Sequence, residues 1–93
     1  MNLQYHPLTA TDLNTAVSYY NRQRLGLGDE FRLEVYAAIT RIVSNPFQFA
    51  IVERDIRRGF THRFPYSIVF RVVNDDTVRV LVIRHHRRHP SFG

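Results

Sequence analysis

The apolar residues of this 93-residue chain change their spacing at Asn45-Pro46, and this change constrains the fold more than any other feature. Before Pro46, apolar side chains recur every three or four residues, which is the period of a helix that buries one face. After Pro46, they alternate with polar residues or form short runs between turn residues, which is the pattern of β-strands. Helices followed by antiparallel strands predict an α+β domain in which a helical layer covers one sheet face.

The first half predicts two helices. Thr9 is positioned to cap the first, with Asp12 three residues later in a weak variant of the capping box. This helix should run to about Arg24, and one apolar face is formed by Leu13, Ala16, Val17 and Tyr20.

The stretch Leu25-Gly26-Leu27-Gly28 interrupts the helical pattern. Gly26 supplies the positive φ of a helix C-cap, and the second glycine allows a new helix to start at once. Acidic residues in its first turn and Arg41 in its last turn complement the helix dipole, and Asn45-Pro46 ends the helix. Its apolar stripe consists of Phe31, Val35, Ala38, Ile39, Ile42 and Val43. A connection this short predicts an antiparallel helical hairpin.

One short strand is predicted before the helices, over residues 2–6, and four after them, over residues 49–53, 56–64, 66–73 and 77–84. The last two strands are apolar on both sides, so we expect them at the centre of the sheet. Asn74-Asp75-Asp76 predicts the hairpin turn that joins them. His62 shares one side of its strand with Phe60 and Phe64, which predicts a half-buried packing residue.

Length and composition predict a single domain spanning residues 1–93. No run of 18 apolar residues is present, so no transmembrane helix is expected. The N-terminal residues lack the pattern of a signal peptide, and a cytosolic location is the default expectation. The absence of cysteine excludes disulfides, cysteine-ligated zinc and thiol catalysis.

The charge is basic and unevenly distributed. All 13 basic residues are arginine, and the net charge is +5. Residues 1–53 carry four arginines and five acidic residues, whereas residues 54–93 carry nine arginines and three acidic residues. The lack of lysine is consistent with a GC-rich genome, but arginine also pairs bidentately with phosphate and stacks on bases. The basic second half therefore predicts a surface for an anionic partner.

The densest polar cluster is the tail Arg84-His85-His86-Arg87-Arg88-His89-Pro90, which leaves the end of a central strand. It is open to four interpretations. The arginines suit phosphate contacts, and the cluster is also what a solvated basic terminus would contain. His85 and His89 have the spacing of a metal-binding pair, although Pro90 disfavours the helix that this spacing needs. Metal-free ribonuclease chemistry needs a base, an acid and cations, for which His85, His86, Glu53 and several arginines are available.

Two series of residues resemble a known family. The first is Asp12-Leu13, Tyr19-Tyr20, Gly26-Leu27-Gly28 with Phe31, and Asn45-Pro46. The second is Arg57-Arg58, Phe64-Pro65-Tyr66, an apolar hairpin, and then His85, Arg87, Arg88 and Pro90. Together they resemble the toxin subunits of type II toxin–antitoxin systems in the RelE/ParE superfamily, on the ParE-like or plasmid stabilisation side. The resemblance covers nearly the whole chain, in order.

The resemblance implies a β-α-α-β-β-β order, with a short N-terminal strand and an antiparallel helical hairpin packed on a mainly antiparallel sheet. It implies a cognate antitoxin as a partner, and the net charge of +5 fits an acidic antitoxin segment. No cofactor and no metal are expected. The ParE-like branch inhibits DNA gyrase and is not known to need catalytic residues, whereas the RelE-like branch cleaves mRNA on the ribosome. A third hypothesis is an inactive, antitoxin-binding module with the same fold.

These hypotheses assign different roles to the same arginine-rich segments. For a gyrase-binding toxin, the expected target-binding residues are Arg57, Arg58, Arg63, Arg84, His85, Arg87 and Arg88. For a metal-independent endoribonuclease, His85 would be the base, and Arg63 and Arg87 would stabilise the phosphate.

Overall fold

The computed structural model describes residues 1–86, in which two helices and five strands form one layered unit. In chain order the elements are β1 (Asn2–Tyr5), α1 (Thr9–Gln23), α2 (Leu27–Ser44), a 3₁₀ turn (Pro46–Gln48), β2 (Ala50–Glu53), β3 (Ile56–Phe60), β4 (Tyr66–Val73) and β5 (Thr77–His85). The predicted α+β class is confirmed. The four strands predicted after the helical hairpin are present. This is one strand more than the β-α-α-β-β-β order implied by the resemblance, because β2 is a separate short strand. Within this range, neither helix is long and apolar enough to cross a membrane.

The sheet has the strand order β1-β5-β4-β3-β2. β1 runs parallel to β5, and every other neighbouring pair is antiparallel. β4 and β5 are therefore internal strands, as their apolar character predicts. The turn between them places Asn74 and Asp75 at φ angles of 56° and 64°, a left-handed conformation that Asn and Asp tolerate better than most residues.

The core lies between the helical hairpin and one face of the sheet. Strand alternation directs Ile68 and Phe70 of β4 towards the helices, and both are fully buried. Phe31 and Ile42 of α2 are also at 0% exposure. Each such side chain contributes about 1.5–3 kcal/mol through burial, so this interface stabilises the domain.

An aromatic cluster joins both helices to the start of β4. The Phe31 ring centroid lies 4.6 Å from that of Tyr66 and 5.1 Å from that of Phe64. Tyr20 of α1 lies 5.0 Å from Phe64 and 5.2 Å from Phe31. Tilted and edge-on pairs at these distances stabilise a fold beyond simple burial, and here they fix the hairpin over the β3–β4 end of the sheet.

The turn between the helices depends on a close approach of their backbones. Gly26 has the predicted positive φ, at +89°. The side-chain oxygen of Asn21 accepts hydrogen bonds from the amides of Gly26 (3.2 Å) and Gly28 (2.8 Å), which caps the start of α2. A Cβ at Gly28 would collide with the carbonyl oxygen of Val17 in α1. The second glycine is thus required for packing of α2 against α1, not for the helix start that the sequence predicted.

Two local predictions were wrong. Thr9 is the first residue of α1 but does not cap it; its hydroxyl is buried and donates to the Val80 carbonyl at 3.4 Å. His62 is exposed and lies outside any strand, because β3 ends at Phe60. The Thr61 hydroxyl donates to the Phe64 carbonyl at 2.7 Å, which closes a tight loop where the sequence predicted continued strand.

Glu34 of α2 holds this loop in place. Its carboxylate accepts hydrogen bonds from the backbone amides of His62 (3.0 Å) and Arg63 (3.4 Å). The amide of His62 is the main reason that the pKa of Glu34 lies below its ordinary value of 4.5, and the Arg63 amide adds to the effect.

Replacing Gly28 with alanine should destabilise the protein by about 1–3 kcal/mol, because the added methyl group must displace the α1 backbone at Val17. Helix propensity alone predicts the opposite sign, a gain of about 1 kcal/mol. Urea unfolding of Gly28→Ala measures the difference. Leu25→Ala, at a side chain that is 90% exposed, is the control and should stay within about 0.5 kcal/mol of the unaltered protein. A stabilised Gly28→Ala would contradict the packing role.

Replacing Glu34 with glutamine should make stability less sensitive to acid. Because the pKa of Glu34 is lower in the folded state, its contribution is complete above the ordinary value of 4.5 and is lost as the pH falls through the folded-state pKa. Unfolding free energies at about pH 7 and about pH 3 should therefore show a stability deficit of Glu34→Gln that shrinks in acid. An equal deficit at both pH values would be inconsistent with this carboxylate contact.

Candidate interaction surface on the open sheet face

The face of the sheet that points away from the helices carries a group of four side chains that we call the cationic patch: Arg58, Phe60, Arg84 and His86. Across the strands, Phe60 of β3 pairs with Ser67 of β4, which pairs with Arg84 of β5. Arg58 lies two residues before Phe60 and therefore on the same face. No helix of residues 1–86 covers this face, since both pack on the opposite one.

Phe60 is the centre of the cationic patch and is 48% exposed. The guanidinium carbon of Arg58 lies 5.0 Å from the centroid of its ring, within cation–π distance. The ring of His86 meets it edge-on, with centroids 5.4 Å apart. His86 is positioned by its backbone amide, which donates to the Pro65 carbonyl at 2.9 Å. The exposed Phe60 ring thus contacts a cation through Arg58 and an imidazole through His86.

A groove of about 670 Å³, lined by both aliphatic and charged side chains, adjoins the patch. Arg58 and Arg84 line it together with one acidic residue, Glu53. The remaining lining residues are aliphatic: Val52, Ile56, Val69, Leu81 and Val82. A partner that offers both apolar groups and anions would fit this combination.

Two further arginines on the same face, Arg71 and Arg79, form polar contacts with neighbouring side chains. Arg71 forms an ion pair with Asp55 at 2.8 Å, and this hydrogen bond is the main reason that the pKa of Asp55 is lowered. Arg79 donates to the side-chain oxygen of Gln4 at 3.0 and 3.2 Å. Exposed pairs of this kind contribute little stability, but they orient both side chains along the sheet.

Arg57 lies on the other face from Arg58, because neighbouring residues of a strand point in opposite directions. Its guanidinium donates to the carbonyl oxygens of Phe49 (2.7 Å) and Phe47 (3.3 Å). The Arg57 side chain therefore anchors the segment between α2 and β2 to the sheet.

Arg63 and His85 also lie away from the cationic patch. Arg63 forms an ion pair with Glu30 at 2.9 Å, and that hydrogen bond is the largest cause of the lowered pKa of Glu30. The His85 ring lies 5.2 Å from that of Tyr66, on the helix side of the sheet. Both side chains thus belong to the end of the sheet beneath the start of α2.

The predicted target-binding residues do not form one cluster. The structure brings Arg58 and Arg84 to the open face and separates them from Arg57, Arg63 and His85. Arg87 and Arg88 lie outside the described residues. Phe60 was not predicted as a site residue, although its position two residues after Arg58 was a signal that both share a face. Among residues 1–86, no group of three His, Cys, Asp or Glu side chains is placed to hold a metal ion.

Two solved structures of low sequence identity share this fold. One is the chromosomal ParDE TA system from P. aeruginosa, which is 19% identical, with a TM-score of 0.80 over 91% of this chain and 95% of that chain. The other is the intact E. coli RelBE toxin-antitoxin complex, which is 13% identical, with a TM-score of 0.68 over 94% of this chain and 98% of that chain. No curated protein sequence matches the chain significantly.

The sequence itself identifies the family. Residues 3–90 match the family described as "ParE toxin of type II toxin-antitoxin system, parDE". This match begins within β1, spans both helices and the other four strands, and extends beyond the described residues. It agrees with the family that the two residue series resemble. The chain therefore belongs to the ParE toxin family of type II toxin–antitoxin systems.

Proposed function

We propose that this protein is a growth-inhibiting toxin that acts in the cytoplasm by binding DNA gyrase and is neutralised by a cognate acidic antitoxin. The observation that carries the proposal is the cationic patch beside a partly aliphatic groove, on the sheet face that no helix of residues 1–86 covers. Family membership supports the toxin role. The protein would inhibit its target by binding to it, without catalysing a reaction.

Arg58 and Arg84 supply the charge for this binding. Within residues 1–86, Arg58 forms no ion pair with a carboxylate, and its guanidinium lies against Phe60. Guanidinium forks pair bidentately with carboxylates and phosphates, both of which a DNA-bound gyrase presents. Arg87 and Arg88 follow His86 in the sequence, and we propose that they also bind the target.

The positions of Arg63 and His85 favour binding over endoribonuclease catalysis. A phosphate-stabilising cation must present its charge to substrate, but the Arg63 fork is engaged by Glu30 at 2.9 Å. The His85 ring packs edge-on against the largely buried Tyr66. These contacts suit a structural role for both side chains.

An antitoxin partner is supported by the structural neighbours, which are toxin–antitoxin systems of P. aeruginosa and E. coli. The net charge of +5 favours a partner of opposite sign. We therefore propose that the antitoxin is acidic, at least in the segment that binds this chain.

Replacing both Arg58 and Arg84 with glutamine should abolish most of the growth inhibition that follows induced expression. The charges that we assign to target binding are removed, while neither side chain belongs to the core. Losing two charge-assisted contacts at about 1.5–3 kcal/mol each should weaken target binding at least about 100-fold. The measurement is colony formation after induction, with circular dichroism to verify folding.

Arg63→Gln combined with His85→Ala is the matched control, since it also changes two basic side chains. It should remain toxic, and toxic cells should accumulate DNA breaks while their mRNA stays intact. Loss of toxicity in this control alone, together with cleaved mRNA from the unaltered protein, would favour the ribosome-dependent nuclease and contradict the gyrase proposal.

The reading frame beside this gene should encode a small acidic protein that restores growth when co-expressed. Copurification of the two proteins should weaken as the salt concentration rises, because exposed charge pairs are screened. If the induced chain never affects growth, with or without this neighbour, the protein is an inactive module of the family.

A further inference from the structure

Phe60 is an aromatic side chain that the hydrophobic core does not use. It lies on the open face of the sheet at 48% exposure, whereas Phe70 of the neighbouring strand is fully buried under the helices. Two groups contact its ring, the guanidinium of Arg58 and the imidazole of His86. An exposed aromatic ring beside a guanidinium is an arrangement on which planar groups such as nucleic-acid bases stack.

The arginines of the cationic patch lie on two sides of this ring. Arg58 precedes Phe60 by two residues on β3, so their Cα atoms are about 7 Å apart along the strand. Arg84 lies two strands away, about 10 Å across the sheet. Ser67, which separates Phe60 from Arg84 in the register, has a small side chain. A single strand of nucleic acid has a matching order of groups, with a phosphate on each side of every base.

Two carboxylates of the open face lie at the opposite end of β3. Glu53 pairs with Ile56, which is four residues before Phe60 and therefore about 13 Å from it. Asp55, at the same end, forms its ion pair with Arg71 at 2.8 Å. A polyanion that approaches the Phe60 end of the strand is therefore kept apart from both of these negative charges.

We propose that the cationic patch binds single-stranded DNA, with one base stacked on Phe60 and a neighbouring phosphate on Arg58. The bases of a duplex are stacked on one another, so only an unpaired strand offers a free base face to a protein ring. That this strand belongs to the DNA held by gyrase rests on the function proposed above, whereas the chemistry of the patch does not.

The position of Arg58 favours a nucleic acid over an acidic protein segment. Its guanidinium carbon lies 5.0 Å from the Phe60 centroid, and within residues 1–86 it forms no ion pair with a carboxylate. An exposed cation–π contact is weak, and a charge-assisted bond to a phosphate is stronger. Arg58 can therefore turn to a phosphate and leave the ring face to a base. An acidic segment would pair with the arginine but would leave the ring uncovered.

The test uses the full chain and a fluorescent oligothymidine of about ten nucleotides, a length within the usual range of single-strand binding sites. Fluorescence anisotropy measures its affinity and that of an abasic strand with the same number of phosphates. The oligothymidine should bind about tenfold more tightly. Tenfold corresponds to about 1.4 kcal/mol, which is within the range that one stacked base contributes. Equal affinities of the two strands would overturn the proposal, because the ring would then contribute nothing.

Phe60→Leu should weaken oligothymidine binding about tenfold and leave the abasic strand within about twofold, since leucine is apolar but has no π face. Unchanged binding of the abasic strand also shows that the variant is folded. Phe47→Leu is the matched control. Phe47 is 55% exposed, with the Arg57 guanidinium carbon 5.3 Å from its ring centroid, but it lies in the 3₁₀ turn, outside the patch. It should bind both strands normally. Equal losses in the two variants would be incompatible with stacking at Phe60.

Arg58→Gln should weaken both strands and lower the slope of log K against log salt concentration by about 1, the value for one lost phosphate contact. An unchanged slope would contradict the contact between Arg58 and phosphate. Oligouridine RNA of the same length should bind no more tightly than oligothymidine, because neither proposed contact uses the 2′-hydroxyl. Tighter binding of the RNA would assign the patch to RNA and overturn the proposal.

Growth separates this inference from the proposed function. If oligothymidine binds as expected but the induced chain does not affect growth, the gyrase proposal fails while the DNA site stands. If the chain is toxic through Arg58 and Arg84 but Phe60→Leu binds oligothymidine normally, the DNA site fails while the gyrase proposal stands. The arginines would then bind carboxylates of the gyrase protein.

Discussion

Burial of the helical hairpin against a single face of the sheet is the interaction on which the rest of the molecule depends. Phe31 and Ile42 of α2 pack on Ile68 and Phe70 of β4, and all four are at 0% exposure. The packing requires α2 to approach α1 closely. Position 28 must be glycine for this approach, because a Cβ there would collide with the Val17 carbonyl. Because both helices are used on this face, the opposite face has no helical cover within residues 1–86. The surfaces available for binding follow from this asymmetry.

Arginine serves two different purposes in this lysine-free chain. Arg57 donates from one guanidinium nitrogen to two backbone carbonyls, and Arg41 donates to the Phe60 carbonyl at 3.1 Å. These side chains fix irregular segments to the core layer. On the open face, Arg58 and Arg84 line a groove together with aliphatic side chains, so they border the space that a partner would fill. The planar fork makes both uses possible, since several donors diverge from one rigid group.

Much of the fold was predictable because its signals are local. The change of period at Pro46 separates helices from strands, and the glycine pair marks the hairpin turn. The central positions of β4 and β5 follow from their apolar character on both sides. The predictions for Thr9 and His62 were wrong because the local structure at each depends on a residue that is distant in the sequence. Thr9 bonds to a carbonyl 71 residues away, and the loop that exposes His62 is held by Glu34 of α2.

The sequence by itself determined the fold class, the basic character of the second half and the family, because composition, periodicity and motif order are properties of the chain. Only the tertiary structure decided which arginines act together. Arg57 and Arg58 are neighbours in sequence but lie on opposite faces, whereas Arg58 and Arg84 are 26 positions apart in the sequence and share one. Strand alternation sets the face, and cross-strand register sets the neighbours. The register also depends on the irregularity between Val69 and Phe70, which no local pattern of residues specifies.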